Sequence, residues 1–162
     1  MIRLKEIGHV LLRVLDVGRS VEFYSTLLGF EVMEQDPDHG GVFMALPGHA
    51  HTLDLFPAPA GPTHAAADPG RIGVHHVAFR VDGDAALTDA YWALVDADVE
   101  VVRAVDHVSQ KSIYFHDPDG NLLEIYSEVP DARELFLRGR HDRDEPLVFI
   151  RPVPVSSSSN PA

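Results

Sequence analysis

The chain contains no cysteine, which excludes disulfides and thiolate metal ligands together, so any metal must be held by His, Asp or Glu. It also lacks a long apolar run, since no stretch approaches the ~20 residues that cross a bilayer. The opening residues MIRLKEIGHVLL do not follow the charged, apolar, small-residue order of a secretory signal. A cytoplasmic location is the expectation these absences leave. Positive charge is scarce too. Thirteen Lys and Arg stand against 25 Asp and Glu, a formal charge of −12, with no basic cluster. Phosphate backbones require a basic footprint, so nucleic acid and membrane surfaces are not expected partners.

What the chain does have is histidine, ten in 162 residues, several of them beside strand-like segments. The length suits one compact domain or two small modules sharing a core. The sequence repeats itself. GHVLLRVLDVGRS (8–20) aligns with HHVAFRVDGDAAL (75–87), setting His9 over His76. HTLDLF (51–56) aligns with NLLEIY (121–126), setting Asp54 over Glu124. The offsets are 67 and 70 residues, which describes a duplicated unit and not a longer repeat array.

Each copy reads as strand, helix, then three strands. In the first, Val10, Leu12 and Val14 alternate with His9, Leu11 and Arg13. A helix follows with Asp16 or Ser20 as N-cap and Gly29 as its stop. Strands are expected around 30–34, 41–46 and 51–56. The second copy has a strand at 75–82, a helix at 84–97 and strands near 99–104, 111–116 and 121–127. The fold class is therefore α+β, two tandem βαβββ modules whose mixed sheets curve around a shared metal-binding cleft. Residues 1–60 form the first module and 61–128 the second. Residues 129–162 form an extension with a short helix and a disordered Ser-rich tail, with no chemistry expected beyond about residue 145.

Strand alternation assigns faces. If Val77, Phe79 and Val81 pack on the helix, His76 points to the other side, as His9 does in the first copy. Leu123 and Ile125 leave Glu124 opposite, just as Leu53 and Leu55 leave Asp54 opposite. A single histidine on a strand is ordinarily a surface or hydrogen-bonded residue. Two repeat-equivalent histidines and an acid on one face are a different matter. His9, His76 and Glu124 match a facial metal-ligand set with open positions, and a buried carboxylate without a cation is costly.

This plan, with a histidine opening each copy and an acid in DPDGNLLE, resembles the vicinal oxygen chelate superfamily over residues 7–127. That grouping includes glyoxalase I, fosfomycin-resistance enzymes, methylmalonyl-CoA epimerase, bleomycin-binding proteins and extradiol dioxygenases, so the fold alone leaves the chemistry open. The stretch VDHVSQKSIYFHDPDGNLLE is most similar to the signature of type I extradiol ring-cleaving dioxygenases, through His107, Tyr114, Pro118, Gly120 and Glu124. The resemblance implies Fe(II), or Mn(II) in some members, held by His9, His76 and Glu124. The implied substrates are a catechol-type aromatic diol and O2, with His107 moving protons and Tyr114 bonding a diol oxygen. It also implies a homodimer. Asp54 is the principal alternative: if it were a fourth ligand, lyase, isomerase or glyoxalase-like chemistry would be favoured. A non-catalytic small-molecule-binding protein is the third reading. His116 is expected on the face of Tyr114 and Tyr126 in packing. His39, His49, His51 and His64 are expected to face solvent, and Arg13 and Arg80 to pair with acids.

Overall fold

The computed structural model describes residues 1–59, 72–139 and 143–151. The boundary expected at residues 60 and 61, His64 and the Ser-rich tail lie outside the described residues. The first module runs β1 (Val10–Val14), α1 (Val17–Thr26), β2 (Glu31–Gln35), β3 (Val42–Ala45) and β4 (Leu53–Pro57). The second repeats that order as β5 (Val77–Arg80), α2 (Gly83–Asp96), β6 (Val101–Asp106), β7 (Gln110–His116) and β8 (Leu122–Glu128). A short α3 (Ala132–Arg138) and a two-residue β9 (Glu145–Pro146) follow.

The two sheets share one topology. The first has order β1-β4-β3-β2, the second β5-β8-β7-β6-β9, and in each the first and last strands of the unit are parallel neighbours while the others pair antiparallel. The fold is thus α+β with two βαβββ modules, as the repeat implies. Between the two candidate caps of α1, Asp16 is the one used: its backbone is extended and its carboxylate accepts from the Arg19 amide at 3.0 Å. Ser20 is buried within the helix instead. Beyond the helix, Gly29 takes a φ of 73°, a left-handed conformation that a side chain would strain.

Alternation puts the apolar side of each sheet on its helix. Val14, Leu53 and Leu55 of the first sheet and Ile113, Phe115, Leu123 and Ile125 of the second belong to a single core, joined by Leu87 and Leu94 of α2. Aromatic contacts tie the modules together: Phe30 meets Phe79 edge-on at 5.6 Å, and Phe23 of α1 lies 6.5 Å from Phe115 of β7. A polar clasp crosses the same boundary. The fully buried Tyr24 donates to Asp117 Oδ2 at 3.0 Å, and Asp117 also accepts from the Asp119 and Asn121 amides. Burial, reinforced by the Asp117 charge, pushes the Tyr24 phenol far above its usual pKa, so it stays a donor.

The C-terminal extension contributes to this body. β9 pairs with Val105 and Asp106 of β6, and Leu147 and Phe149 pack on the core, Phe149 stacking on Tyr91 at 4.2 Å. Tyr24→Phe removes a hydrogen bond to a buried carboxylate, and an equilibrium urea titration is expected to show a loss of about 1.5–3 kcal/mol. Phe115→Ala, which empties the shared core, is expected to lose about 3–5 kcal/mol in the same titration.

Candidate metal and catalytic site

Because the helix sides of both sheets are spent on the core, each sheet has one open face, and the polar residues lie there. On the first sheet the parallel register pairs Leu11 with Asp54, and β3 sets Phe43 beside Asp54. His9 stands just before β1 and reaches Asp54, its Nε2 lying 3.5 Å from Oδ2. On the second sheet Ala78 and Tyr114 are the register neighbours of Glu124. His76 stands just before β5, with its Nε2 2.8 Å from Glu124 Oε2. The repeat is therefore reproduced as two half-sites, each a histidine preceding the first strand and an acid on the last.

The second half-site is elaborate. Glu124 is 3% exposed, and both its oxygens have partners: His76 on one and the Gln110 side-chain amide, at 3.1 Å, on the other. Tyr114, directly across the strand pair, is enclosed by three cationic or titratable neighbours. The His76 ring stands perpendicular to its ring with centroids 5.6 Å apart. The Arg103 guanidinium lies over it at 4.4 Å, and the His107 Nε2 is 3.1 Å from its hydroxyl. His107 Nδ1 is in turn 2.6 Å from Asp144 Oδ1. A carboxylate only accepts, so Nδ1 carries a proton, and in the neutral ring Nε2 then presents its lone pair to the Tyr114 hydroxyl. Asp144 thus selects the tautomer.

Burial, followed by the Glu124 charge, raises the Tyr114 pKa above the usual phenol value, against smaller opposing effects of Ser112 and Arg103. A phenol whose folded-state pKa is raised stays neutral through the physiological range. Above the ordinary phenol pKa of ~10, the unfolded chain loses the proton that the folded chain keeps, so this group withdraws stability as pH rises there.

The first half-site holds a residue that strand patterning passes over. His51 was expected to face solvent. Instead its Nε2 is 3.1 Å from His9 Nδ1 and 3.9 Å from Asp54 Oδ1, and its ring meets Phe43 edge-on. The reason is position: His51 precedes β4, where alternation no longer dictates direction, and the chain folds it back beneath His9. Among the described residues, His9, His51 and Asp54 form the group whose ligand atoms lie mutually within 4.8 Å. His76 and Glu124 are paired with each other, and His9 does not join them at that spacing within one chain. The other histidines and arginines resolve more simply. His39 pairs with Asp36, Arg80 with Glu128, and Arg13 bonds the Pro57 carbonyl and lies over Phe56, with no acid paired to it among the described residues. His116 is half-buried, at the end of β7 opposite Leu122.

The donors present suit a divalent metal. The buried Asp54 Oδ1 has no hydrogen-bond partner although imidazoles stand beside it, and the set is nitrogen and carboxylate oxygen throughout. A duplicated βαβββ protein with such half-sites belongs to a defined structural class. The sequence pattern of the Glyoxalase/Bleomycin resistance protein/Dioxygenase superfamily matches residues 6–125, and the chain belongs to that family. It is 28% identical over 150 residues to biphenyl-2,3-diol 1,2-dioxygenase 2 of Rhodococcus globerulus, covering 90% of this chain and 77% of that one. It is 32% identical over 133 residues to the uncharacterized protein YaeR of Escherichia coli K12, covering 79% of this chain and 100% of YaeR. The fold matches a glyoxylase/bleomycin resistance protein/dioxygenase domain from Frankia sp. EAN1pec at a TM-score of 0.69 and 22% identity, over 82% of this chain and 99% of that one. Among the described residues, no helix is long and apolar enough to cross a membrane.

Asp144→Asn weakens the preference for the Nδ1–H tautomer without emptying the site. Histidine ¹⁵N spectra are expected to show His107 moving from one neutral tautomer toward a mixture. An unchanged His107 signal would remove Asp144 from the positioning role.

Proposed function

We propose that the protein is an Fe(II)-dependent extradiol dioxygenase that adds O2 to a catechol-type aromatic diol with ring cleavage. The observation that carries this reading is the chain Asp144–His107–Tyr114 set directly against His76 and Glu124. The spacing of His107, Tyr114 and Glu124 resembles the extradiol signature, and the likeness to a biphenyl-2,3-diol 1,2-dioxygenase supports the reading. His9, His76 and Glu124 would hold the metal. When bound, the metal supplies adjacent positions for a chelating diol and for O2, bringing both reactants to one place.

The protein's own groups account for the proton movements. His107 Nε2 carries a lone pair, is 8% exposed as a residue and is oriented from behind by Asp144, so it can accept a hydroxyl proton from a bound diol. Tyr114 remains protonated, and once a bound diol takes its place as partner of His107 the Tyr114 hydroxyl is free to donate to a diol oxygen. Arg103 over its ring favours negative charge nearby. The buried surroundings strengthen each of these interactions.

His9 belongs to the open face of the first sheet, and His76 and Glu124 to that of the second. Both helix sides share one core, so the open faces turn away from it. We infer that the centre is completed when the first module of one chain meets the second module of another in a twofold dimer. Such pairing would also cover Leu11, which is 45% exposed on the first open face.

A second reading has its own observation. Asp54 lies beside His9 with an unpartnered buried oxygen, and as an added ligand it would leave fewer open positions. That arrangement favours lyase, isomerase or glyoxalase-like chemistry over oxygen insertion.

Oxygen uptake decides between them. Protein loaded anaerobically with Fe(II) and given catechols is expected to consume O2 and form a yellow ring-opened product. No uptake across mono- and bicyclic diols would overturn the dioxygenase reading. His107→Ala is expected to lose at least ~100-fold in turnover while keeping its metal. Mixing His9→Ala and Glu124→Gln chains in equal amounts is expected to restore about a quarter of the parent activity, because half the dimers are mixed and each regains one intact centre. A mixture as inactive as its components would place the centre within one chain.

A further inference from the structure

We infer that Arg103 sets the substrate class of the second half-site: an aromatic diol that carries a carboxylate on the ring or on a short arm, held through that group by the guanidinium. The inference rests on the diol reading of this site and adds to it the charge of the molecule that fits there.

Arg103 reaches the open face through an irregularity in its strand. Val101 pairs with Phe115 and Arg103 with Tyr114, so β6 carries an extra residue, Val102, between them. Val101 and Ala104 both pack on the core. Strict alternation from Val101 would send Arg103 to that apolar side as well. The bulge turns it to the opposite side, where its guanidinium lies 4.4 Å from the centre of the Tyr114 ring. The first module has the same irregularity between Val32 and Glu34, and Glu34 pairs with Phe43 as Arg103 does with Tyr114. Both Glu34 and Arg103 are exposed. One sheet thus carries an acid beyond its bulge and the other a base, so the fold itself does not require a cation at this position.

The neighbouring cations of the second sheet are matched, and Arg103 is not. Arg80 pairs with Glu128 and Lys111 with Asp84, whereas no acid is paired with Arg103 among the described residues. Its charge is permanent, and its fork of N–H donors fits the two oxygens of a carboxylate. Contact with the Tyr114 ring steadies the guanidinium from one side. The hydroxyl of that same tyrosine meets His107, so the anion-binding group and the acid–base pair are fixed to one side chain. The chain as a whole has a formal charge of −12, and a carboxylate approaching it needs a local cation to bind.

The test uses the full chain loaded anaerobically with Fe(II). The probes are dihydroxybenzoate and dihydroxyphenylacetate with adjacent hydroxyls, the methyl ester of each, and catechol. Calorimetry reads binding before air is admitted, and oxygen uptake then gives KM and kcat. The parent is expected to bind an acid at least ~tenfold more tightly than its ester, with the difference carried by KM. Arg103→Leu is expected to lose that preference with circular dichroism unchanged. Arg103→Lys is expected to keep part of it, and Arg103→Glu to prefer the ester. A parent that binds neither acid more tightly than its ester, or an Arg103→Leu chain that keeps the advantage of the acid, would overturn the inference. Its failure is separable from that of the dioxygenase reading. Arg103-dependent binding of the acids without oxygen uptake leaves the carboxylate site standing and removes the oxygen chemistry. Uptake that does not distinguish acid from ester removes this inference alone.

Discussion

The arrangement of this protein depends on one apolar core shared by the helix sides of two sheets. Val14, Leu53 and Leu55 from the first module and Ile113, Phe115, Leu123 and Ile125 from the second occupy it together. Burial of that surface is the main favourable contribution to folding, and it consumes one face of every central strand. The period of two in a strand then leaves no choice for the intervening residues. Asp54, Glu124 and Tyr114 must lie on the opposite faces, and the histidines preceding β1 and β5 follow them.

The two open faces have diverged within this common frame. The second carries a polar network in which nearly every group has a partner. Asp144 orients His107, His107 accepts from Tyr114, and Glu124 is held by Gln110 and His76. A buried network of this kind is rigid when satisfied, and it fixes the side chains that compose it. The first face is less complete. Its acid retains an unpartnered oxygen, its histidines are half-exposed, and the aromatic rings of Phe43 and Phe56 lie alongside. The second face is thus a closed hydrogen-bonded network, and the first a looser cluster of imidazoles around one acid. Family membership is compatible with both, since the family's own description spans glyoxalase, resistance-protein and dioxygenase functions.

The duplication, both βαβββ units and the facing of His9, His76, Asp54 and Glu124 were legible because period and register are local properties. His107 and Tyr114 were legible through motif spacing, and they lie in contact at 3.1 Å. His51 was not, since it sits just outside β4, where alternation does not extend. Asp144 was not either. It lies 37 residues beyond His107, in an extension whose strand, among the described residues, is two residues long, and nothing local joins the two.

By itself, then, the sequence determined which elements form and which side chain each strand turns away from its helix, because both follow from backbone geometry and the separation of apolar from polar residues. Tertiary structure alone decided which of those side chains meet. The packing of α1 against the second module commits the helix sides to one core, and on the other sides of the sheets His9 finds His51 and Asp54 while His76 finds Glu124. Such meetings depend on how whole sheets are oriented by a shared core, a long-range consequence that no local pattern encodes.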